Sequence, residues 1–230
     1  MRRQVTHRSL DGTRVRLTGS HDLGRPVTSV TRIAVAGRLH ELSSGTRDDA
    51  HAWAEDIGVK RFEQEFRTQD GRLRIGRTST RDPDTGLTDP VLAAVWEGRR
   101  HAVFTHVYHG RAADAVAFFA TVRLAEHDDG VTATPTGRAY RPDPAEMVKE
   151  VPGLGLLEFT ALTAQTRRRL PGWRGASVAG GELFRDEVEG QGPYFLLALK
   201  SLLVTVLPDE HRVRETPGNL AKLAVEAVRG

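Results

Sequence analysis

Cysteine is absent from all 230 residues, which excludes disulfide frameworks, thiolate zinc sites, iron–sulfur clusters and cysteine nucleophiles together. Long apolar runs are missing as well. The longest, YFLLALKSLLVTVL at 194–207, is too short for a spanning helix and carries Lys200 in its middle. The opening stretch MRRQVTHRSLDGTRVRL has basic residues but no apolar segment behind them, so it does not read as a secretory signal. These absences lead us to expect a cytoplasmic protein that does not enter a membrane. No Walker loop or dinucleotide fingerprint occurs, and no cofactor is implied.

Lysine is nearly absent too. Of 33 basic residues only Lys60, Lys149, Lys200 and Lys222 are lysines, which leaves 29 arginines against 30 acidic residues and a formal charge of +3. Arginine enriched together with Ala, Gly and Val is the mark of GC-rich coding, and the acidic residues are interspersed almost everywhere. A nucleic-acid binder concentrates its positive charge on one element. The denser spots here are Arg2, Arg3, Arg8, Arg14 and Arg16 near the start, and Arg167, Arg168 and Arg169. Neither is interleaved with aromatics suited to base stacking, so nucleic acid is not the favoured partner and the Arg167–Arg169 run is at most an anion site.

What is present is a succession of short β-patterned segments. Residues 4–18 read as a hairpin turning at Asp11-Gly12, and the β-branched VTSVTRIAV (27–35) as a strand. Thr46 is placed to cap a helix over 46–57, with Asp48 and Asp49 in its first turn, apolar Ala50, Trp53, Ala54 and Ile57 at helical spacing, and Gly58 at its end. Residues 60–68 and 72–80 form a second expected hairpin about Asp70-Gly71, and RDPDTGLTDP (81–90) a loop. VLAAVWEG (91–98) and HAVFTHVYH (101–109) read as paired strands, the second apolar on both faces and therefore inside a sheet. A helix is expected over 112–124. Prolines at 135, 142, 144 and 152 leave room in 135–155 for no more than a helical turn at 144–150. Strands follow at 156–165 and 183–188, with a loop and a short strand across 170–182.

The last forty residues echo the strongest earlier segment. YFLLALKS matches VLAAVWEG, LLVTVLP (202–208) matches AVFTHVY, and PGNLAKLAVEAVRG (217–230) matches AADAVAFFATVRL. Thr105 and Thr205 hold equivalent places, as do Val122-Arg123 and Val228-Arg229. A single buried helix over 194–207 is the competing reading, but Pro208 and the β-branched Val204, Thr205 and Val206 favour strands. The expected fold is therefore α+β: two similar antiparallel β-sheet lobes of strand-turn-strand-helix units, each with a helix packed on one face. The lobes are expected at 1–140 and 156–230, with a Pro/Gly-rich connection at 141–155. The layout resembles that of the Mog1/PsbP-like proteins; no motif carries the likeness, and no function or residue role follows from it.

Candidate chemistry is thin. His101, His106 and His109 share one expected strand, but His101 and His109 lie about 26 Å apart along it and His106 faces the other way, so they cannot chelate one ion. Ser20, His21 and Asp22 are adjacent, which has no meaning for a triad. GASVAG (175–180) lacks the second glycine of a nucleophile elbow, and Asp82, Asp84 and Asp89 around Gly86 miss the spacing of a calcium loop. No metal site is expected. Trp173 beside Arg174, in a Gly-rich stretch, has the chemistry of a binding hot spot.

With no nucleophile, base and orienting group to assemble, the sequence points away from catalysis and toward a non-catalytic interaction or structural protein. Its expected partner is a protein or a second copy of the chain, met through open sheet edges. One alternative is a ligand-binding protein or enzyme with a pocket between the lobes, using His106, Tyr108 and Asp114. The other is a nucleic-acid or anion binder through its arginine clusters.

Overall fold

The computed structural model describes residues 2–81, 86–188, 190 and 192–228, so Asp82, Asp84 and Arg229 lie outside the described residues. In chain order the elements begin with β1 (Arg3–Arg8), β2 (Arg14–Gly19), β3 (Thr28–Val35), β4 (Arg38–Thr46), α1 (Arg47–Asp56) and β5 (Phe62–Thr68). They continue with β6 (Gly71–Arg81), β7 (Thr88–Glu97), β8 (His101–Tyr108), α2 (Ala112–Ala120), β9 (Val122–His127) and β10 (Gly130–Pro135). Then come β11 (Glu146–Val151), β12 (Gly155–Ala161), α3 (Ala164–Arg167), β13 (Ala176–Val178) and β14 (Gly181–Val188). The last are β15 (Gly192–Leu199), β16 (Leu202–Leu207), α4 (Thr216–Leu220) and β17 (Ala224–Val228). Antiparallel sheet dominates and the helices are few and short. Among the described residues no helix is long and apolar enough to cross a membrane.

The chain divides into two compact units, one within 9–12 and 28–143, the other within 1–8, 13–27 and 144–230. The division at 143/144 falls inside the proline-rich stretch, but residues 13–27 group with the C-terminal part. In the 28–143 unit the strands run in the order β3-β4-β8-β7-β6-β5, and β9 pairs with β10 in a hairpin. Val91 to Glu97 on β7 are all buried, so both faces of the sheet are covered there. α1 lies over the face that carries Ala93, Val95 and Phe104. α2 lies on the opposite face, where Phe118 meets His40 with ring centroids 4.6 Å apart.

In the other unit the order is β11-β12-β16-β15-β14-β13, with a three-stranded sheet β1-β2-β17. Val15, Leu17 and Val225 of the small sheet join Met147, Leu157, Phe195 and Val204 of the larger one in a single core. Lys149 shares the inward face of β11 with Met147 and Val151, so its stem points into this core, and its amine donates to the Arg25 carbonyl. Burial holds the amine down to about 8, opposed by the charge of Asp22.

Several expectations are corrected. Residues 194–207 are indeed two strands, but the helix expected at 217–230 is only the five-residue α4, followed by β17. Val225 pairs with Leu17 and shares its core, and this tertiary pairing overrides the helix propensity of AVEAV. α2 likewise stops at Ala120 because Val122 opens β9. The picture of a sheet with one covering helix per lobe therefore fails twice. One unit has helices on both faces, and the other uses a second sheet in place of a helix. Residues 144–150 hold no helical turn; β11 begins at Glu146. The first hairpin turns through residues 9–13, since Arg8 pairs with Arg14. The second turns at Gln69-Asp70, both at positive φ (51° and 59°). Gly71 serves elsewhere: a Cβ there would strike the Trp96 ring and the Glu97 carbonyl.

Two of the end strands, β5 and β13, are blunted. β5 is exposed and charged (Glu63, Glu65, Arg67) with an irregular register near Phe62, and β13 has three residues. Both devices discourage edge pairing.

Glu126 on β9 fastens the β7–β8 turn. Its carboxylate accepts from the backbone N–H groups of Arg99, Arg100 and His101 at 2.8, 2.8 and 2.9 Å. Desolvation would raise its pKa, but these bonds and the His101 side chain outweigh it and hold the group at about 2, below its ordinary 4.5. A depressed carboxyl stabilises the fold fully above the ordinary value and loses that contribution as pH falls toward the folded one. Urea titrations should therefore show wild type losing about 2 kcal/mol more than Glu126→Gln between pH 7 and pH 3. Equal losses in the two proteins would remove this role from Glu126.

Candidate functional site

The face of the 28–143 unit that carries α1 gathers the polar chemistry of the chain. Thr46 caps the helix as its sequence indicates: its hydroxyl accepts from the Asp49 N–H at 3.1 Å, and the Asp49 carboxylate accepts from the Thr46 N–H at 2.8 Å. Ala50, Trp53 and Ala54 pack down on the sheet. That places Arg47 and His51, one turn apart, above the end of β7.

There the buried run of β7 closes on a carboxylate. Glu97 shares the parity of Ala93 and Val95, and its side chain is fully buried. Four cationic or polar groups from two elements, α1 and β6, converge on it. His51 Nε2 lies 2.7 Å from Oε1, Arg74 Nη1 3.0 Å from Oε1, Arg72 Nη2 3.0 Å from Oε2 and Arg47 Nη2 3.4 Å from Oε2. Arg72 and Arg74 alternate on β6, and Arg72 stands directly opposite Glu97 in the ladder. The Arg74 guanidinium lies over the Phe62 ring, 4.5 Å from its centroid. Burial alone would raise the Glu97 pKa; the bonds from His51 and Arg74 and their charge bring it below the ordinary carboxylate range.

The four partners remain partly open, with side-chain exposures of 40% for Arg47, 40% for His51, 45% for Arg72 and 27% for Arg74. The arrangement is a carboxylate floor that fixes three guanidinium groups at the surface.

Beyond α1 the same face is open and mixes aromatic and aliphatic side chains with the exposed pair Glu41 and Arg32. Phe104 and His106 pack against Trp53, each with ring centroids 4.8 Å away, and Tyr108 continues the row, 5.8 Å from His106. Burial lowers the His106 pKa, countered by the charge of Glu41. Leu39 lies on this face through the alternation of β4, in which Ser43 stands opposite Phe104. Ala34 stands opposite Leu39 on one side and forms a bridge with Tyr140 on the other. Leu39, Tyr108 and Tyr140 are 57%, 54% and 61% exposed.

Of the residues singled out from sequence, the structure brings His106 and Tyr108 together in this row. Asp114 is exposed and, from the first turn of α2, accepts from the N–H of the N-cap residue Arg111 at 2.7 Å. Trp173 is 57% exposed beside the exposed Arg174 in the other unit. Arg167 ends α3, and Arg168 and Arg169 follow it, all exposed. No group of three potential metal ligands occurs among the described residues.

The Glu97 cluster went unnoticed in the sequence, although its signal was available. A charged residue at the end of a strand buried on both faces requires counter-charges, and the neighbouring strand offers arginines at alternate positions. No family model, curated protein or solved structure matches the chain.

Replacing Glu97 by Gln should destabilise the protein by about 3 kcal/mol at pH 7, because three converging guanidiniums lose their counter-charge. The difference should narrow as pH drops below the ordinary carboxylate range, where the wild-type group also becomes neutral. Denaturant melts of both proteins at pH 7 and pH 3 check this; a neutral effect at pH 7 would show that the arginines do not depend on the carboxylate.

Proposed function

We propose that the chain is a non-catalytic binding protein that engages a protein partner through the open part of the α1 face of its 28–143 unit. The supporting observation is the row Leu39, Tyr108 and Tyr140, each more than half exposed on one sheet face beside His106 and Trp53. Tyrosine supplies large, rigid contact area with a polar tip and is enriched at binding hot spots. The rigid ladder beneath means that little ordering cost attaches to presenting these side chains. Binding through a face also agrees with the blunting of β5 and β13. The rival use of His106, Tyr108 and Asp114 as a reactive set gains no support, since Asp114 is occupied by the Arg111 N–H at the start of α2.

We also read the chain as a duplication. β3-β4-α1-β5-β6-β7-β8 and β11-β12-α3-β13-β14-β15-β16 share one connectivity and one strand order, which extends the sequence echo over 91–124 and 194–230 to both larger sheets.

The triple variant Leu39→Ser/Tyr108→Ser/Tyr140→Ser should keep the wild-type circular dichroism and melting temperature, because these side chains are mostly in solvent. A protein bound by wild type from native extract, or a self-association seen by light scattering, should weaken at least about tenfold in the variant. Undiminished binding by the variant, or a wild type that binds neither another protein nor itself, overturns the reading.

A further inference from the structure

The cluster above Glu97 is more cationic than its own charges require. Three guanidiniums face one buried carboxylate, and among the described residues the only other acid within ion-pair range is Glu65, about half exposed on β5. Glu65 lies 3.8 Å from Arg72 Nη1 and 3.8 Å from Arg74 Nε, in ion-pair range of both but beyond hydrogen-bond reach. Two donors in the cluster are left over: the Nε atoms of Arg47 and Arg74 are buried and have no hydrogen-bond partner. A buried donor without an acceptor is costly, and such groups in native proteins call for an explanation. Each of the two arginines spends a terminal nitrogen on Glu97 and retains its Nε–H, one half of the fork that guanidinium uses to grip oxyanions.

We propose that Arg47, Arg72 and Arg74 form a binding site for a phosphate group, with Glu97 as the residue that positions them. The three guanidiniums come from α1 and two places on β6, so they approach an ion from different directions. That suits a tetrahedral oxyanion, whose oxygens point several ways, better than a planar carboxylate. The partial exposure of all three leaves the ligand an entry from solvent, while the buried carboxylate and the stacking of Arg74 on Phe62 hold the donors in place beforehand. Glu65 stands where it competes with an incoming anion. The site is separate from the aromatic row and does not rest on the protein-binding reading.

The test is titration of the full chain with inorganic phosphate at low ionic strength, followed by calorimetry and by amide shifts of residues 47–51 and 72–74. Saturable binding is expected. Arg72→Gln, at the most exposed of the three arginines, should weaken it at least about tenfold, and Glu65→Gln should tighten it about threefold or more by removing the competing charge. Near-ultraviolet circular dichroism confirms that each variant is folded. A merely structural ion-pair network would not bind more tightly on loss of Glu65. O-phosphoserine in place of phosphate separates an esterified from a free ligand, the tighter of the two being the source. No saturable binding of either probe, an unchanged affinity in Glu65→Gln, or an affinity abolished by Arg167→Gln/Arg168→Gln/Arg169→Gln would overturn the proposal.

Discussion

Seven consecutive buried residues on β7, Val91 to Glu97, set the terms for the 28–143 unit. A strand hidden on both faces needs two covers, and the chain supplies α1 on one side and α2 on the other. Because the last of the seven is a carboxylate, its cover must also carry charge, since an ionised group leaves water only when it is paired. Arg47 and His51 on the helix and Arg72 and Arg74 on the adjacent strand meet that need. The helix cap at Thr46 and Asp49 and the ladder of β6 against β7 are thus what bring four side chains of distant sequence position to one atom pair.

The legible parts of this architecture share a physical character: their signals are local. The cap at Thr46, the stop at Gly58, the hairpin over 194–207 and the alternation of β3 can each be read from a few neighbouring residues. The obscure parts depend on partners far away in sequence. AVEAV at 224–228 becomes a strand because Leu17, about two hundred residues earlier, lies opposite it. The Glu97 cluster is obscure for the same reason, drawing on positions 47 to 97. Gly71 shows the converse error. A glycine beside an aspartate invites the reading of a turn, yet here its missing side chain makes room for Trp96.

The histidines illustrate how position decides between packing and chemistry. His106 is half-buried against Trp53 and loses basicity by desolvation, His101 leans on the Glu126 clamp, and His51 touches the buried Glu97 carboxylate. Composition gave them equal weight. The fold separates them, and it leaves one face of the 28–143 unit with two distinct characters: cationic over the end of β7, aromatic beyond α1.

Lys149 gives the chain an unusual chemical property. Three of the four lysines, Lys60, Lys200 and Lys222, stand in solvent, whereas Lys149 is enclosed among aliphatic side chains. An amine-directed acylating reagent will therefore mark three of the lysines on the native molecule and reach the fourth only through opening of β11. The rate at which that last mark arrives is a built-in clock for local unfolding of this sheet.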